Sequence, residues 1–335
     1  MDSAMNSCLD INPQLDKYYL TSLYGIQFVL GLVGNIFVIW AYLFCLKEWK
    51  CCNIYLFNLS ISDLLFTCTL PLFVSYYNSG NQWPYGIQVC KIYKCILHSN
   101  MYASILFLTC ISWDRYLLVT SPLKVHCIQT KFNAIIICLC IWAFVTVEMI
   151  PMVAIFDRVG APNNTTSICA DYASSGNAKW NLIYSLYLTV FGFLLPLCVI
   201  IIMYVRIARV LKKMGRESSG ISVNKPLRMA ILAITIFALF FTPYHVMRNV
   251  RIVTRLDGVH MSKCGESVVR AVYTITRPVA FLNSITNPLL YFMMGDKFRE
   301  QVVDKLQSIF SRIRKASNKN ENSSDNIVNV NKSNV

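Results

Sequence analysis

Seven times along the chain more than 20 successive residues are predominantly apolar, at 20–45, 54–77, 89–116, 134–155, 182–208, 227–252 and 268–293. No soluble fold can bury that much continuous hydrocarbon. A helix crossing a bilayer needs about 20 such residues, and a helix satisfies its own backbone N–H and C=O groups where no water can. Composition agrees. Of 335 residues 55% are hydrophobic and 14% charged, against about 25% charged in an ordinary soluble domain. The 14 cysteines form no C-x-x-C pairs and no histidines cluster, which excludes a small disulfide scaffold and a zinc site. The expectation is an all-α membrane protein, a seven-transmembrane helix bundle.

The bundle then covers 20–293, preceded by an amino-terminal tail at 1–19. Residues 1–17 are polar and hold no apolar stretch of the signal-peptide kind, so the first window is read as the insertion signal. Residues 294–313 interleave Phe298, Val302, Val303, Leu306 and Phe310 with Lys and Arg, the pattern of an amphipathic helix lying on an anionic membrane surface. Residues 314–335 are rich in Asn, Ser and Lys and read as a disordered cytoplasmic tail. The net charge of +14 must sit mostly outside hydrocarbon, and 18 of the 31 Lys and Arg, with two more in the distal tail, fall on the side that holds the carboxyl terminus. By the positive-inside rule the amino terminus is extracellular. The overlapping sequons at Asn163 and Asn164 then fall outside, where glycosylation occurs.

Seven helices suit a pump, a transporter or a receptor, and ionisable groups at depth separate these. The last window has no lysine for a retinal Schiff base. No internal repeat suggests a transporter, and no nucleophile elbow, zincin or phosphate-loop motif suggests an enzyme.

An ordered set of short motifs is more specific. Gly34-Asn35, Asn58-Leu59-Ser60-x-Ser62-Asp63, Trp83-x-Tyr85-Gly86 before Cys90, Asp114-Arg115-Tyr116, Trp142, Pro196, Phe237 with Pro243, and Asn287-Pro288-x-x-Tyr291 follow one another at consistent spacing. Together they resemble the rhodopsin-like, class A, G protein-coupled receptors over nearly the whole chain. The stretches around Leu97–Thr109, Phe241–Ile252 and Thr276-Arg277-Pro278 are similar to the branch of purine nucleotide and metabolite receptors. The segments at 55–60, 171–176 and 247–251 are most like its succinate-recognising members. An arginine expected in outer span three is Lys94 here, which keeps charge but loses the bidentate fork.

The resemblance implies a small anionic ligand of the succinate type, with Tyr24, Tyr77, Lys94, His98, Arg248, Arg251 and Arg277 around it. It implies a heterotrimeric G protein at the inner face, with arrestin and membrane lipid as further partners; nothing points to nucleic acid. Asp114, Arg115, Tyr116, Tyr204, Phe237, Phe241, Pro243, Asn287, Pro288 and Tyr291 would form the activation switch. Phe241 stands where the family usually has tryptophan. Asp63, Ser104, Asn283 and Asn287 match an allosteric sodium pocket, although a hydrogen-bonded network would use the same residues. Disulfides Cys90–Cys169 and Cys8–Cys264 are implied at the outer surface. The remaining ten cysteines read as reduced packing residues.

The anion site also has a physical argument. Lys94, His98, Arg248, Arg251 and Arg277 gather near the outer ends of spans three, six and seven, where cations without carboxylate partners repel one another and an anionic ligand relieves them. Snorkelling to headgroups or pairing with Asp171 would serve as well. His98 as a core histidine and the tyrosines as membrane anchors also stay open. Two other functions remain at this point, a purine nucleotide receptor of the same fold and an anion transporter.

Overall fold

The computed structural model describes residues 11–120, 129–157, 169, 171–217, 224–294, 298–312 and 314–315. Those residues build a helical bundle. α1 runs Asn12–Phe44, α2 Cys51–Asn78, α3 Gly86–Thr120, α4 Lys131–Ala154 and α5 Ala178–Met214, and each is long and apolar enough to cross a membrane. α6 spans Asn224–Val253, and the seventh crossing comes in two pieces, α7 Lys263–Ala280 and α8 Asn283–Met294. α9 covers 298–312. Cys8, Cys127, Asn163 and Asn164 lie outside the described residues, as do most of the tail at 314–335 and the side chain of Tyr291.

Helix starts follow from local chemistry. Thr130 accepts from the Asn133 backbone N–H at 3.3 Å, Asn177 from those of Lys179 and Trp180, and Ser262 from Gly265, each filling an otherwise orphaned donor. Before α3, Gly86 adopts φ +79°, a backbone open mainly to glycine. Its carbonyl accepts the Trp83 indole N–H.

The bundle is apolar on its outside and polar within. Val33, Phe132 and Leu139 are more than 60% exposed, a surface fit for acyl chains and not for water. Asn35, Ser60, Asp63, Asn100 and Ser104 are buried. Two glycines mark close approaches between helices. A Cβ at Gly34 would lie 3.2 Å from the Pro288 ring, and one at Gly192 2.7 Å from the Tyr102 ring.

Two results depart from the sequence expectation. The amino-terminal tail is helical from Asn12, so that Asp16 lies buried against the bundle. The seventh crossing breaks at Phe281 and Leu282, after Pro278, into tight turns that turn Ser284 and Asn287 inward. α9 packs Phe298 on Tyr42, ring centroids 4.9 Å apart, and buries Val302, while Val303 and Phe310 stay exposed. That exposed apolar edge suits a membrane surface.

Candidate functional site

The end of the bundle that holds the amino terminus is closed by a loop fixed at one point. Cys90, in the first turns of α3, is bridged to Cys169, with Cα atoms 5.7 Å apart. Two residues later Asp171 enters the bundle and is buried. The loop is clamped further. Asn181 donates to the carbonyls of Tyr172 and Ser175, and Arg255 donates to those of Ala173, Ser175 and Gly176 at 2.7–3.2 Å. Cys264 is also disulfide-bonded. The nine remaining described cysteines are free thiols.

Asp171 therefore places a carboxylate among the expected cations. It accepts a hydrogen bond from the Tyr273 hydroxyl. Burial opposes its ionisation, but Lys94, His98, the Tyr273 bond and Arg277 outweigh that and hold its carboxyl below the usual range. Tyr24, Lys94, His98, Asp171, Tyr244 and Arg277 line a space of only about 10 Å³, room for about one water. Above it a wider cavity of about 270 Å³ is lined by Asp16, Asn81, Asp171, Arg251, Arg270 and Arg277 among others.

The arginines are held in different ways. Arg248 is 0% exposed, yet every partner of its guanidinium is neutral. Its Nε donates to Ser185 Oγ at 2.9 Å, Nη1 to Tyr102 OH at 2.6 Å, and Nη2 to the Ser185 carbonyl and Thr189 Oγ1 at 3.1 and 3.0 Å. The rings of Tyr172 and Tyr244 lie 5.9 and 5.5 Å from it, and cation–π attraction offsets part of the cost of burying the charge. Close passage of Gly192 seats Tyr102, and a π-helical turn at Val190–Leu194 follows Thr189 directly. Such turns recur at functional sites.

Arg277 instead has a carboxylate nearby. Its Nη1 donates to Tyr77 OH at 3.0 Å, and Nη2 lies 3.7 Å from Asp16 Oδ1. Asp16 also pairs with Arg270 at 3.3 Å and accepts from Asn81 at 3.2 Å. Asn81 takes φ 67° to do so, a conformation asparagine tolerates better than most residues. Arg251 pairs with Glu266 at 3.1 Å. The expectation that these cations lack carboxylate partners is therefore corrected, since Asp16, Asp171 and Glu266 reach them from the tail, a loop and the start of α7.

Other expected residues fall as follows. His98 shares its Nδ1 with the Lys94 carbonyl at 2.9 Å and faces the Tyr244 hydroxyl at 3.4 Å. Lys94 lies over the Phe73 ring, and Tyr24 stacks on both Phe73 and Tyr77, which also touch each other. Arg255, past the end of α6, is tied to the loop carbonyls of Ala173, Ser175 and Gly176.

Deeper in the bundle, Asp63 is 0% exposed and accepts from four neutral donors. Asn100 Nδ2, Ser284 Oγ and Ser104 Oγ reach Oδ1 at 3.0, 2.9 and 3.5 Å, and Asn287 Nδ2 reaches Oδ2 at 2.7 Å. Asn283 is buried but its side-chain amide makes no hydrogen bond. The set as placed is a satisfied hydrogen-bonded network. The Asp63 carboxylate and the unpartnered Asn283 Oδ1 are oxygens of the kind a sodium ion would take. Asn100 and Ser284 were missed, although Asn100 precedes Ser104 by one helical turn.

At the opposite end, Asp114 accepts from Gln129 at 3.3 Å. Arg115 lies beside Cys52 and Tyr204, and no Asp114–Arg115 ion pair forms within 4 Å among the described residues. The expected resting pair is therefore absent from this arrangement, in which Asp114 accepts from Gln129 instead. Tyr116 OH accepts from Arg206 at 3.4 Å. Phe237 stacks on Phe193 and contacts Phe241, two residues before Pro243 in α6.

Comparison with known proteins places this arrangement. Residues 34–291 match the model of the 7 transmembrane receptor (rhodopsin family). Succinate receptor 1 of Rattus norvegicus is 48% identical over 300 residues, covering 89% of this chain and 93% of that protein. The Mus musculus protein of that name is 47% identical over the same shares. Purinoceptor 1 of Homo sapiens is 37% identical over 286 residues, 85% of this chain and 76% of that protein.

Proposed function

Since the chain belongs to the rhodopsin family of seven-transmembrane receptors, we propose that it answers a small extracellular dicarboxylate of the succinate type and passes the signal to a heterotrimeric G protein. The observation that carries the ligand class is Arg248, a fully buried guanidinium with only neutral hydrogen-bond partners. A buried charge without a counter-ion is costly, and an anion beside it supplies one. Arg277, on the far side of Tyr244 and Tyr273, offers a second point, so a ligand with a carboxylate at each end fits better than one with a single charge. The 47–48% identity to proteins named succinate receptor 1 supports the same class.

The oxidised Cys90–Cys169 bridge supports an extracellular amino terminus, because the cytosol keeps thiols reduced. The ligand would compete with Asp171 and Asp16 for Arg277. Drawing the ends of α6 and α7 together would then favour a swing of the other half of α6 about Pro243, where the missing N–H weakens the helix. Arg115, Tyr204 and Tyr291 lie toward the end where a G protein α subunit would enter. A ligand shifts this equilibrium only by its differential affinity for the two states.

A purine nucleotide receptor is the second reading, favoured by the 37% identity to purinoceptor 1 of Homo sapiens. The test is nucleotide exchange on receptor-containing membranes with succinate, its monoamide, 2-oxoglutarate and ADP. Succinate should stimulate exchange, with the monoamide at least about tenfold weaker for loss of one charge-assisted bond. A response to ADP at lower concentration than to any dicarboxylate would replace this assignment, and transport of the anion without exchange would remove the receptor reading.

A further inference from the structure

Arg248 is held so that few of its donors remain free. A guanidinium carries five N–H groups, and four here meet neutral oxygens: Nε meets Ser185 Oγ, the two Nη2 hydrogens meet the Ser185 carbonyl and Thr189 Oγ1, and one Nη1 hydrogen meets Tyr102 OH. Among the described residues nothing accepts the other Nη1 hydrogen or the Tyr102 hydroxyl proton. Those two donors stand side by side, since Nη1 and the hydroxyl oxygen are 2.6 Å apart.

Asn249, the next residue of α6, decides which way the hydroxyls point. Thr189 Oγ1 gives its proton to the Ser185 carbonyl one helical turn back, at 2.7 Å, so toward its other neighbours it can only accept. That sets the Asn249 amide with Nδ2 toward Thr189 at 2.9 Å and toward the His245 carbonyl at 2.9 Å. Oδ1 then faces Ser185 and accepts its hydroxyl proton at 2.7 Å. With that proton turned away, Ser185 Oγ presents a lone pair to Arg248 Nε at 2.9 Å. Each bond fixes the direction of the next. No member besides Arg248 is charged, so the circuit orients the guanidinium without neutralising it.

We propose, on the reading of Arg248 as a ligand contact, that Asn249 is the positioning residue that makes this end of the site select a carboxylate over a phosphate-type head. By holding Ser185 and Thr189 as acceptors it keeps the Nε–Nη2 edge of Arg248 occupied. The ligand then meets the Nη1–H and the Tyr102 O–H, one donor for each carboxylate oxygen. Tyr102 strengthens the pair, because a hydroxyl that accepts from a cation donates more strongly. A phosphate-type head brings three oxygens and about −1.5 to −2 charge at pH 7, and one oxygen is left buried without a donor.

The experiment is nucleotide exchange on membranes carrying the full-length receptor, read with succinate and with 3-phosphonopropionate, in which a phosphonate replaces one carboxylate. Wild type should answer succinate at a concentration at least about tenfold lower. Asn249→Ala frees the Ser185 proton and with it the Nε–Nη2 edge, so succinate should weaken while the phosphonate holds or gains, and the preference should shrink at least about threefold. Ser185→Ala removes the oriented hydroxyl itself and should shrink it likewise. Asn249→Asp keeps an acceptor for Ser185 but adds a counter-ion near Arg248, so both ligands should weaken together and the preference should stay near that of wild type. Both ligands are read on one preparation, so surface expression cancels from the ratio. A preference left at the wild-type value in both alanine variants would make Asn249 a tie between α5 and α6 and overturn the proposal, as would a wild type that answers both ligands equally. A wild type that reaches the surface and answers neither would remove the dicarboxylate reading, and this proposal with it.

Discussion

Two polar regions inside this bundle treat charge in opposite ways. Around Asp63 a single carboxylate is met by four neutral donors from α3 and α8. At the amino-terminal end Arg248 has neutral partners only, while Lys94, Arg251, Arg270 and Arg277 share Asp16, Asp171 and Glu266. In the first region the carboxylate's hydrogen bonds come from the protein's own neutral groups. The second holds more cations than carboxylates, and those carboxylates, Asp16, Asp171 and Glu266, come from the tail, a loop and the start of α7. A polar network that closes on itself builds the fold, whereas one that stays charge-imbalanced invites an anion.

The largest effect is expected at Arg248. Arg248→Ala deletes a charged ligand contact and leaves the buried oxygens of Tyr102, Ser185 and Thr189 short of a donor. With each charged hydrogen bond worth about 1.5–3 kcal/mol, succinate potency should fall by about 100-fold or more in nucleotide exchange, about 2.7 kcal/mol. Unchanged potency would erase the distinction between the two regions.

Asp63→Ala sharpens the comparison from the other side. It strips the acceptor from Asn100, Ser284 and Asn287, each unsatisfied buried group costing about 1–3 kcal/mol, so surface expression should drop severalfold. Receptors that do reach the surface should bind succinate with potency within about threefold of wild type, measured by displacement of labelled ligand.

Asp171→Asn removes the internal anion that competes for Lys94 and Arg277. Succinate potency should rise severalfold, and a fall would mean that Asp171 supports the ligand and does not oppose it. Arg255→Ala should have the smallest effect, a two- to threefold loss of potency through a loosened loop, about 0.4–0.7 kcal/mol. Hydrogen exchange at residues 171–176 should speed up with it.

Much of this was readable in the residues. Seven apolar windows, the helix-starting Thr130, Asn177 and Ser262, and the motif residues Asn35, Asp63, Trp142 and Asn287 all fall where their chemistry suggests. The helix at 298–312 shows the apolar face anticipated from Phe298 and Val302. Of the counter-ions, Asp171 was named as an alternative partner, whereas Asp16 and Glu266 were not readable. Asp16 and Arg277 are separated by most of the chain, and a pairing across that distance leaves no periodic trace. Asp16 also sits in a polar stretch that scans as a tail, although the Asn12-Pro13 start could have hinted at a helix. Tyr102, Ser185 and Thr189 were passed over as Arg248 partners because neutral hydroxyls carry no charge signal. The break after Pro278 was hidden by a hydropathy window that averages straight through it.

The central claim is that an anion is gripped between α6 and α7, and Arg277 tests it most directly because its present partners are displaceable. Succinate-stimulated nucleotide exchange is measured for wild type, Arg277→Ala and Arg277→Lys at matched surface expression. The alanine variant should lose at least about tenfold in potency, with lysine recovering part of it, since charge returns without the planar fork. Equal succinate potency in all three receptors would contradict the account.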